Sequence, residues 1–541
     1  MIVGDVKKVN LSTSSFERMI DGGSLYVDKT RFIERFLDES SDVQLVTRQR
    51  RLGKSLNMDM LRRFLTDKED FRHLFSGLYI EKSPKWEQVN SAPVFYFDFK
   101  LLHSENYDKR FYHMVCDYIR SYCADKDLSG AVRAYLDDGD YRDSDGLLYL
   151  TESVYKATGK RSYILIDEYD KLLMDNYSTD RYDEIRKFET ALLSAGLKGN
   201  EYLEKALLTG VMRVSRESLF SGLNNIKDYD VFDDQIYTDD FGLTDKEAAE
   251  LSVLAGFDLD TAREWYNGIR IGDKPIYNTY SVMSYIDSGK LRCYWGMSGT
   301  MDMIQGMLND SRRAKIVRLL NGERVEAEIE NRVSLKQLTD GGADDAFYSL
   351  LVQGGYLAID ESVPNRGIAI LTIPNIELQI VWKSFILKTL YKEPDSIRTL
   401  FDNAHNLTEF AKDIEYFIND RLSYHDLAVY DGEDKRKTHE RLYHIFMLGI
   451  LSAYEDVRCQ HPKSNRESGD GRYDIFVEKP ESNYIFEFKA CEPDDDFDKV
   501  AQTALKQIDV KRYGMDAGTD KRLVKIGIAF CGKRCKVAVR G

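Results

Sequence analysis

The octapeptide RQRRLGKS, Arg48 to Ser55, stands between an apolar run, VQLVT, and a helical one, LNMDMLRRFL. A phosphate-binding loop belongs at such a junction. Backbone N–H groups at a helix N-terminus grip phosphates, a lysine reaches the terminal ones, and a hydroxyl holds Mg2+. Gly53, Lys54 and Ser55 supply those parts, although Arg48 stands where G-x-x-x-x-G-K-[ST] has its first glycine. A bare G-K-S arises by chance in roughly a quarter of chains this long, so context has to decide. The context is SYILIDEYDKLL, whose β-run delivers Asp167 and Glu168 at its carboxyl end, where α/β sheets place ligands. Asp167 suits the Mg2+ shell and Glu168 the polarisation of an attacking water; the bland alternatives are a capped strand end or a surface ion pair. A further run, KALLTG, ends at Thr209, placed to sense a γ-phosphate from the neighbouring strand. Arg213 and Arg216 follow as candidates to neutralise transition-state charge, although arginines after a strand are more often simply solvated.

A second constellation lies near the C-terminus. YDIFV (Tyr473 to Val477) and YIFEFKA (Tyr484 to Ala490) are two β-runs joined by EKPESN, the pattern of a hairpin. If the strands end at Val477 and Tyr484, the pairing sum sets Asp474 opposite Glu487, and Lys489, two residues on, points to the same side. Opposed carboxylates destabilise a sheet unless a cation lies between them, and Mg2+ or Mn2+ would resolve the conflict. That is the requirement of phosphodiester hydrolysis: Asp474 and Glu487 hold the metal that activates water, and Lys489 orients the water or supports negative charge. E-x-K alone is worthless, because about two are expected by chance in such a chain, and a surface salt-bridge cluster is the competing reading. His439 and His444 flank an upstream helix and are read as packing or surface residues. The run DDDFD, Asp494 to Asp498, is read as a helix start.

The elements that must position these residues divide the chain in three. At 541 residues it exceeds what one core usually organises. Residues 43 to 240 alternate β-runs with helical stretches, predicting a mainly parallel α/β sheet domain within 1–240. Residues 241–395 read as mostly helical, with FYSLLVQGGYLAID and GIAILTIPN forming a helix and a two-stranded wing. Residues 396–541 pass from a helix into a second alternating region. A helix THERLYHIFMLGIL and a β-run near VRCQ precede the hairpin, and a helix through AQTALKQIDVKRYG and a strand VKIGIAF follow it.

Composition sets the outer limits. Hydrophobic content of 43% with 31% charged residues is globular, and no apolar stretch is long enough to cross a bilayer. The N-terminus lacks a secretory pattern and the seven cysteines are scattered, so a cytoplasmic protein with reduced thiols is expected. Cys531 and Cys535 are spaced as a pair, but no second Cys/His pair lies near them to complete a zinc site. A net charge of −15 argues against nonspecific adhesion to nucleic acid by the whole surface. From Asp431 onward, however, 21 Lys/Arg balance 20 Asp/Glu, and the last 21 residues hold seven Lys/Arg and no acid. Those last residues form either a basic edge for a polyanion or a solvated tail.

Taken together, YVDKTRFIERFL, RQRRLGKS, ILIDEYDK, TGVMRVSRESLFSGLNN and WYNGIRIG with its following YNTYSV resemble the predicted AAA-ATPase-like proteins of bacteria and archaea that carry a C-terminal PD-(D/E)XK domain. The resemblance runs over most of the chain, and in that family the arginine-rich loop is the usual form. It implies adenine nucleotide, bound through Arg50, Arg51, Gly53, Lys54, Ser55, Asp167, Thr209 and Arg213; no N-K-x-D element argues for guanine. For the C-terminal part it implies the α-β-β-β-α-β core of restriction-endonuclease-like folds. The family pattern there maps onto Glu440, Asp474, Glu487 and Lys489, with Gln507 as an auxiliary group. The function implied is a metal-dependent nuclease, acting on DNA or RNA with DNA favoured, under the control of an ATPase that uses Mg2+ or Mn2+. The alternative is a signalling or scaffold NTPase whose C-terminal domain binds nucleic acid without cleavage. AAA-like sites often complete themselves between subunits, which leaves room for a homo-oligomer.

Overall fold

The structure, a computed structural model, describes the chain apart from residues 124–127, 139–142, 214–224, 233–235, 296–303, 321, 331–342, 364–366, 391–405, 422–442, 444–446, 448–462, 465–466, 469–470, 479–480, 514–520 and 532–533. The chain forms two compact units, Met1–Gly296 with Arg324–Leu378, and Met297–Glu323 with Gln379–Gly541. No described helix is long and apolar enough to cross a membrane.

The first unit is built on five parallel strands: β1 (Val43–Thr47), β2 (Val94–Asp98), β3 (Ser162–Asp167), β4 (Leu203–Gly210) and β5 (Ile226–Tyr229). Their order is β2-β3-β4-β1-β5, so the strand ending at Thr209 and Gly210 lies between the strands that lead to Lys54 and to Asp167. β1 and β3 are buried along their whole length, because helices on both faces leave no solvated side and the residues need not alternate. Two helices matter below, α1 (Lys54–Leu65) and α2 (Tyr182–Leu197). β5, IKDY, carries two charges in four residues and gives no apolar run by which to find it. The same unit holds an antiparallel sheet of β6 (Val325–Glu328), β7 (Ala358–Val363) and β8 (Ile368–Thr372) in the order β6-β8-β7, with α3 (Asp344–Gln353) ahead of β7. The expected helix and two-stranded wing are therefore present, with β6 as a third strand.

In the second unit, α4 (Leu407–Arg421) precedes a sheet of β9 (Lys463–Ser464), β10 (Ile475–Glu478), β11 (Ser482–Ala490), β12 (Arg522–Cys531) and β13 (Arg534–Arg540), with α5 (Phe497–Val510) between β11 and β12. The order follows the chain, and β11 and β12 run parallel while the other neighbours are antiparallel. Phe410, Ile414 and Ile418 of α4 recur at helical spacing and pack, with Tyr443 and Met447, on Ile475, Phe486 and Phe530. Ala501, Leu505 and Ile508 of α5 pack on Ile485 and Ala529. Asp496 caps α5 by accepting from Lys499 N, which gives the acidic run its place at a helix start. The helix expected over 438–451, with Glu440, His439 and His444, lies outside the described residues apart from Tyr443 and Met447, as does the β-run near 457–460.

The structure decides one alternative the sequence left open, and among the described residues it completes no zinc site at the cysteines. The basic C-terminal stretch is no tail: its described part forms β12 and β13, and Lys521 pairs with Glu478, Lys536 with Glu415, and both Lys525 and Arg540 with Asp509. Much of its positive charge is neutralised within its own domain. The cysteine pair divides across the sheet, Cys535 packing in the cluster of Phe530 and Tyr443 and Cys531 beside Cys491 in the other.

Gly527 of β12 faces α5 so closely that a Cβ would lie 2.4 Å from Ala501 O and 2.4 Å from Leu505 N. Both atoms belong to helix backbone, which cannot step aside as a side chain would. Gly527→Ala is expected to cost about 1–3 kcal/mol by overpacking, read as an earlier denaturant transition of the C-terminal unit.

Candidate active sites

The phosphate loop turns through left-handed backbone at Arg51 (φ 66°) and Gly53 (φ 90°), which restores the turn that a glycine at Arg48 would have made. Lys54, buried as the first residue of α1, donates to the carbonyls of Arg48 and Gln49 at 3.0 and 3.1 Å, so the loop curls around its ammonium. Ser55 follows in the first turn, half-buried. Arg48 itself is wholly buried, donating to Thr47 O (2.7 Å) and Tyr229 O (3.0 Å) with its guanidinium 5.2 Å from the Phe241 ring. Burial pushes it down to about 10, which leaves it charged at neutral pH as a buttress under the loop. Arg51 lies 4.2 Å over Tyr280 and donates to Tyr294 O, which turns it toward the helix Thr279–Ser288. The Arg50 carbonyl accepts from Asn278 Nδ2 at 3.5 Å.

Asp167, 1% exposed at the end of β3, accepts from Thr209 Oγ1 at 2.5 Å, Tyr96 OH at 3.3 Å and Glu168 N at 3.0 Å. The structure thus brings Asp167 and Thr209 together across β3 and β4. Glu168 has φ 54°, a conformation that costs a non-glycine residue energy and that surrounding structure must impose. Arg213 is gripped at both ends of its guanidinium by Asp228 and Asp230, so its charge is already met in this arrangement.

Two carboxylates beside this site have no signal of their own in the sequence. Asp98, in register with Asp167, is pushed up by burial and then by the charges of Asp167 and Glu168. Asp170 accepts from Val211 N and Met212 N, and burial, with Glu168 adding, pushes it up to about 6 against the pull of those N–H groups and Lys54. Behind it, Glu189 of α2 is fully buried without a hydrogen-bond partner among the described residues, and burial followed by the Asp170 charge pushes its carboxyl well above the ordinary range.

The Asp170 shift has a definite sign. Between its ordinary 3.8 and about 6 the folded state binds more protons than the unfolded, so this group favours folding as pH falls through that window. Above 6 its buried charge is a standing cost. Asp170→Asn is therefore expected to be more stable than wild type at pH 8, with the difference vanishing toward pH 4, as urea unfolding at several pH values would measure.

At the C-terminal site the register is Ile475↔Phe486 through Val477↔Tyr484, which sets Asp474, one residue ahead of β10, opposite Glu487. Asp474 Oδ2 accepts from Phe488 N at 2.8 Å. Glu487 is 2% exposed; its Oε1 accepts from Gln507 Nε2 and lies 3.7 Å from Lys489 Nζ. Asp474, Glu487, Lys489 and Gln507 are thus gathered at one place by β10, β11 and α5. Tyr513, three residues past α5, bonds to Gln507 and is pushed up first by burial and then by Glu487 and Asp474. Its signal in the sequence is only a tyrosine six positions after Gln507. Two hard oxygen donors with a lysine beside them fit a divalent cation of the Mg2+ type. Glu440 lies outside the described residues, and among those described no three His, Cys, Asp or Glu side chains converge to hold a metal.

Comparison with known proteins follows the same division. A predicted AAA-ATPase family matches residues 10–220, and the PD-(D/E)XK nuclease superfamily matches residues 438–539. The uncharacterized protein in the vnfD 5′ region of Azotobacter chroococcum mcd 1 is 26% identical over 529 residues, covering 94% of this chain and 93% of its own. Among solved structures, the Signal Transduction ATPase with Numerous Domains (STAND) protein with a tetratricopeptide repeat sensor from Pyrococcus horikoshii matches at 14% identity and TM-score 0.27. That match covers 79% of this chain and 55% of the other. This chain joins a domain of the predicted AAA-ATPase family to a C-terminal domain of the PD-(D/E)XK nuclease superfamily.

Proposed function

We propose that the protein is an ATP-binding and ATP-hydrolysing enzyme whose C-terminal domain cleaves nucleic-acid phosphodiester bonds, DNA first among them, under ATPase control. The observation that carries the nuclease half is the pairing of Asp474 with Glu487 beside Lys489. Asp474 and Glu487 would hold Mg2+ or Mn2+, which supplies Lewis acidity and lowers the pKa of water at the scissile phosphate. Lys489 steadies developing negative charge, and Gln507 keeps Glu487 in its rotamer. We assign Glu440 to the same site by its place in the sequence pattern.

In the ATPase half, Arg50, Arg51, Gly53 and Lys54 take the phosphates, Ser55 and Asp167 the Mg2+ shell, and Glu168 the attacking water. Thr209 reports the γ-phosphate through its bond to Asp167. Arg213 joins them once Asp228 and Asp230 release it. We place the work in three parts, residues 1–240, 241–395 and 396–541, in the cytoplasm, where the six described cysteines remain free thiols. Completion of the ATP site by a second copy would make the working form a homo-oligomer.

The test is nicking of supercoiled plasmid with Mg2+ or Mn2+, with and without ATP, by wild type, Asp474→Ala and Lys54→Ala. Nicking that survives in Asp474→Ala rejects the cleavage site, and nicking indifferent to ATP and to Lys54→Ala rejects the coupling. A signalling or scaffold NTPase that binds nucleic acid without cutting is the second reading. It is favoured by the engagement of Glu487 by Gln507 and Lys489, which answers its carboxylate without a metal.

A further inference from the structure

We propose that Gln353 is a positioning residue of the nucleotide site, holding the loop after Thr209 in the posture from which Glu168 and Thr209 address ATP; this rests on the ATPase reading above. Three successive N–H groups leave the end of β4. Val211 and Met212 donate to Asp170 Oδ2 at 3.0 and 2.7 Å, and Arg213 donates to Gln353 Oε1 at 2.8 Å. One jaw of this clamp stands two residues beyond Glu168, on the turn that carries the attacking-water residue. The other is the last residue of α3, 140 positions after Arg213 in the chain.

The turn that follows Gln353 at the end of α3 also reaches the phosphate loop. Gly355, at φ 81°, approaches so closely that a Cβ there would lie 2.7 Å from Gln49 Cγ. Gln49 and Gln353 are each 1% exposed, and each keeps one polar atom without a partner among the described residues: Gln49 Oε1, an acceptor, and Gln353 Nε2, a donor. A buried amide group left unbonded is costly, and here the unmet acceptor and the unmet donor complement each other. Bonding between them when nucleotide is bound would tie the phosphate loop to the end of α3. Gln353 then answers to nucleotide through Gln49 on one side and sets Arg213 and the loop after β4 on the other.

The experiment uses the full chain and the near-isosteric Gln353→Met. Loss of one buried hydrogen bond aimed at the catalytic posture predicts a kcat for ATP down about 10-fold. KM and the Kd values for ADP and for a non-hydrolysable ATP analogue are expected to stay within about 2-fold of wild type. Gly355→Ala strains the same turn from the phosphate-loop side and should lower kcat in parallel; it carries the test should Gln353→Met fail to fold. Wild-type kcat in these folded variants overturns the inference alone, as do equal losses in kcat and ADP affinity, which mark a merely structural role. A wild-type chain that binds neither nucleotide overturns the ATPase reading and the inference with it.

Discussion

Glu487→Ala is expected to lower Mg2+-dependent plasmid nicking by about 1000-fold or more, because it removes one of two carboxylates that a hydrolytic metal needs. The same substitution strips Gln507 of its acceptor and Lys489 of its nearest counter-charge, leaving both groups without the residue that orders them. Glu487→Gln separates the two effects. It keeps the volume and an acceptor for Gln507, so the fold should hold while cleavage is still lost. Gel quantitation of nicked circles, beside a melting curve for each variant, measures both. Nicking by Glu487→Gln at the wild-type rate would leave the C-terminal domain as a binding module.

In the ATPase half, Glu168→Gln is expected to slow ATP hydrolysis by about 100-fold or more while leaving ATP binding close to wild type, since the amide keeps the size but cannot polarise water. Lys54→Ala should lose hydrolysis and binding together. The loop curls around its ammonium, and its removal takes that donor from the carbonyls of Arg48 and Gln49. Phosphate release and fluorescent-nucleotide titration distinguish the pair. If cleavage is under ATPase control, Glu168→Gln locks the chain in its ATP-bound state and Lys54→Ala in its empty one, so their nicking rates should move in opposite directions from wild type.

Geometry that depends on neighbours in the chain was legible in advance. A strand followed by a lysine at a helix start, a strand ending in Asp-Glu and a hairpin whose pairing sum opposes two carboxylates are local facts, set by backbone geometry over a dozen residues. The register Val477↔Tyr484 needed nothing beyond the hairpin itself. The middle helix and wing could be read for the same reason. β5 could not, because charged residues hide it, and neither could β6 or β13.

The sequence by itself determined which residue types stand at the ends of which strands, and with that where the two candidate sites lie. Tertiary structure alone decided which charges are already answered. It buried Arg48 beneath the phosphate loop, gave Arg213 to Asp228 and Asp230, folded the basic C-terminus into paired strands, and brought Gln353 to Arg213. The physical reason is range: hydrogen-bond ladders and alternation act between near neighbours, whereas burial and ion pairing depend on segments that meet only when the whole domain closes.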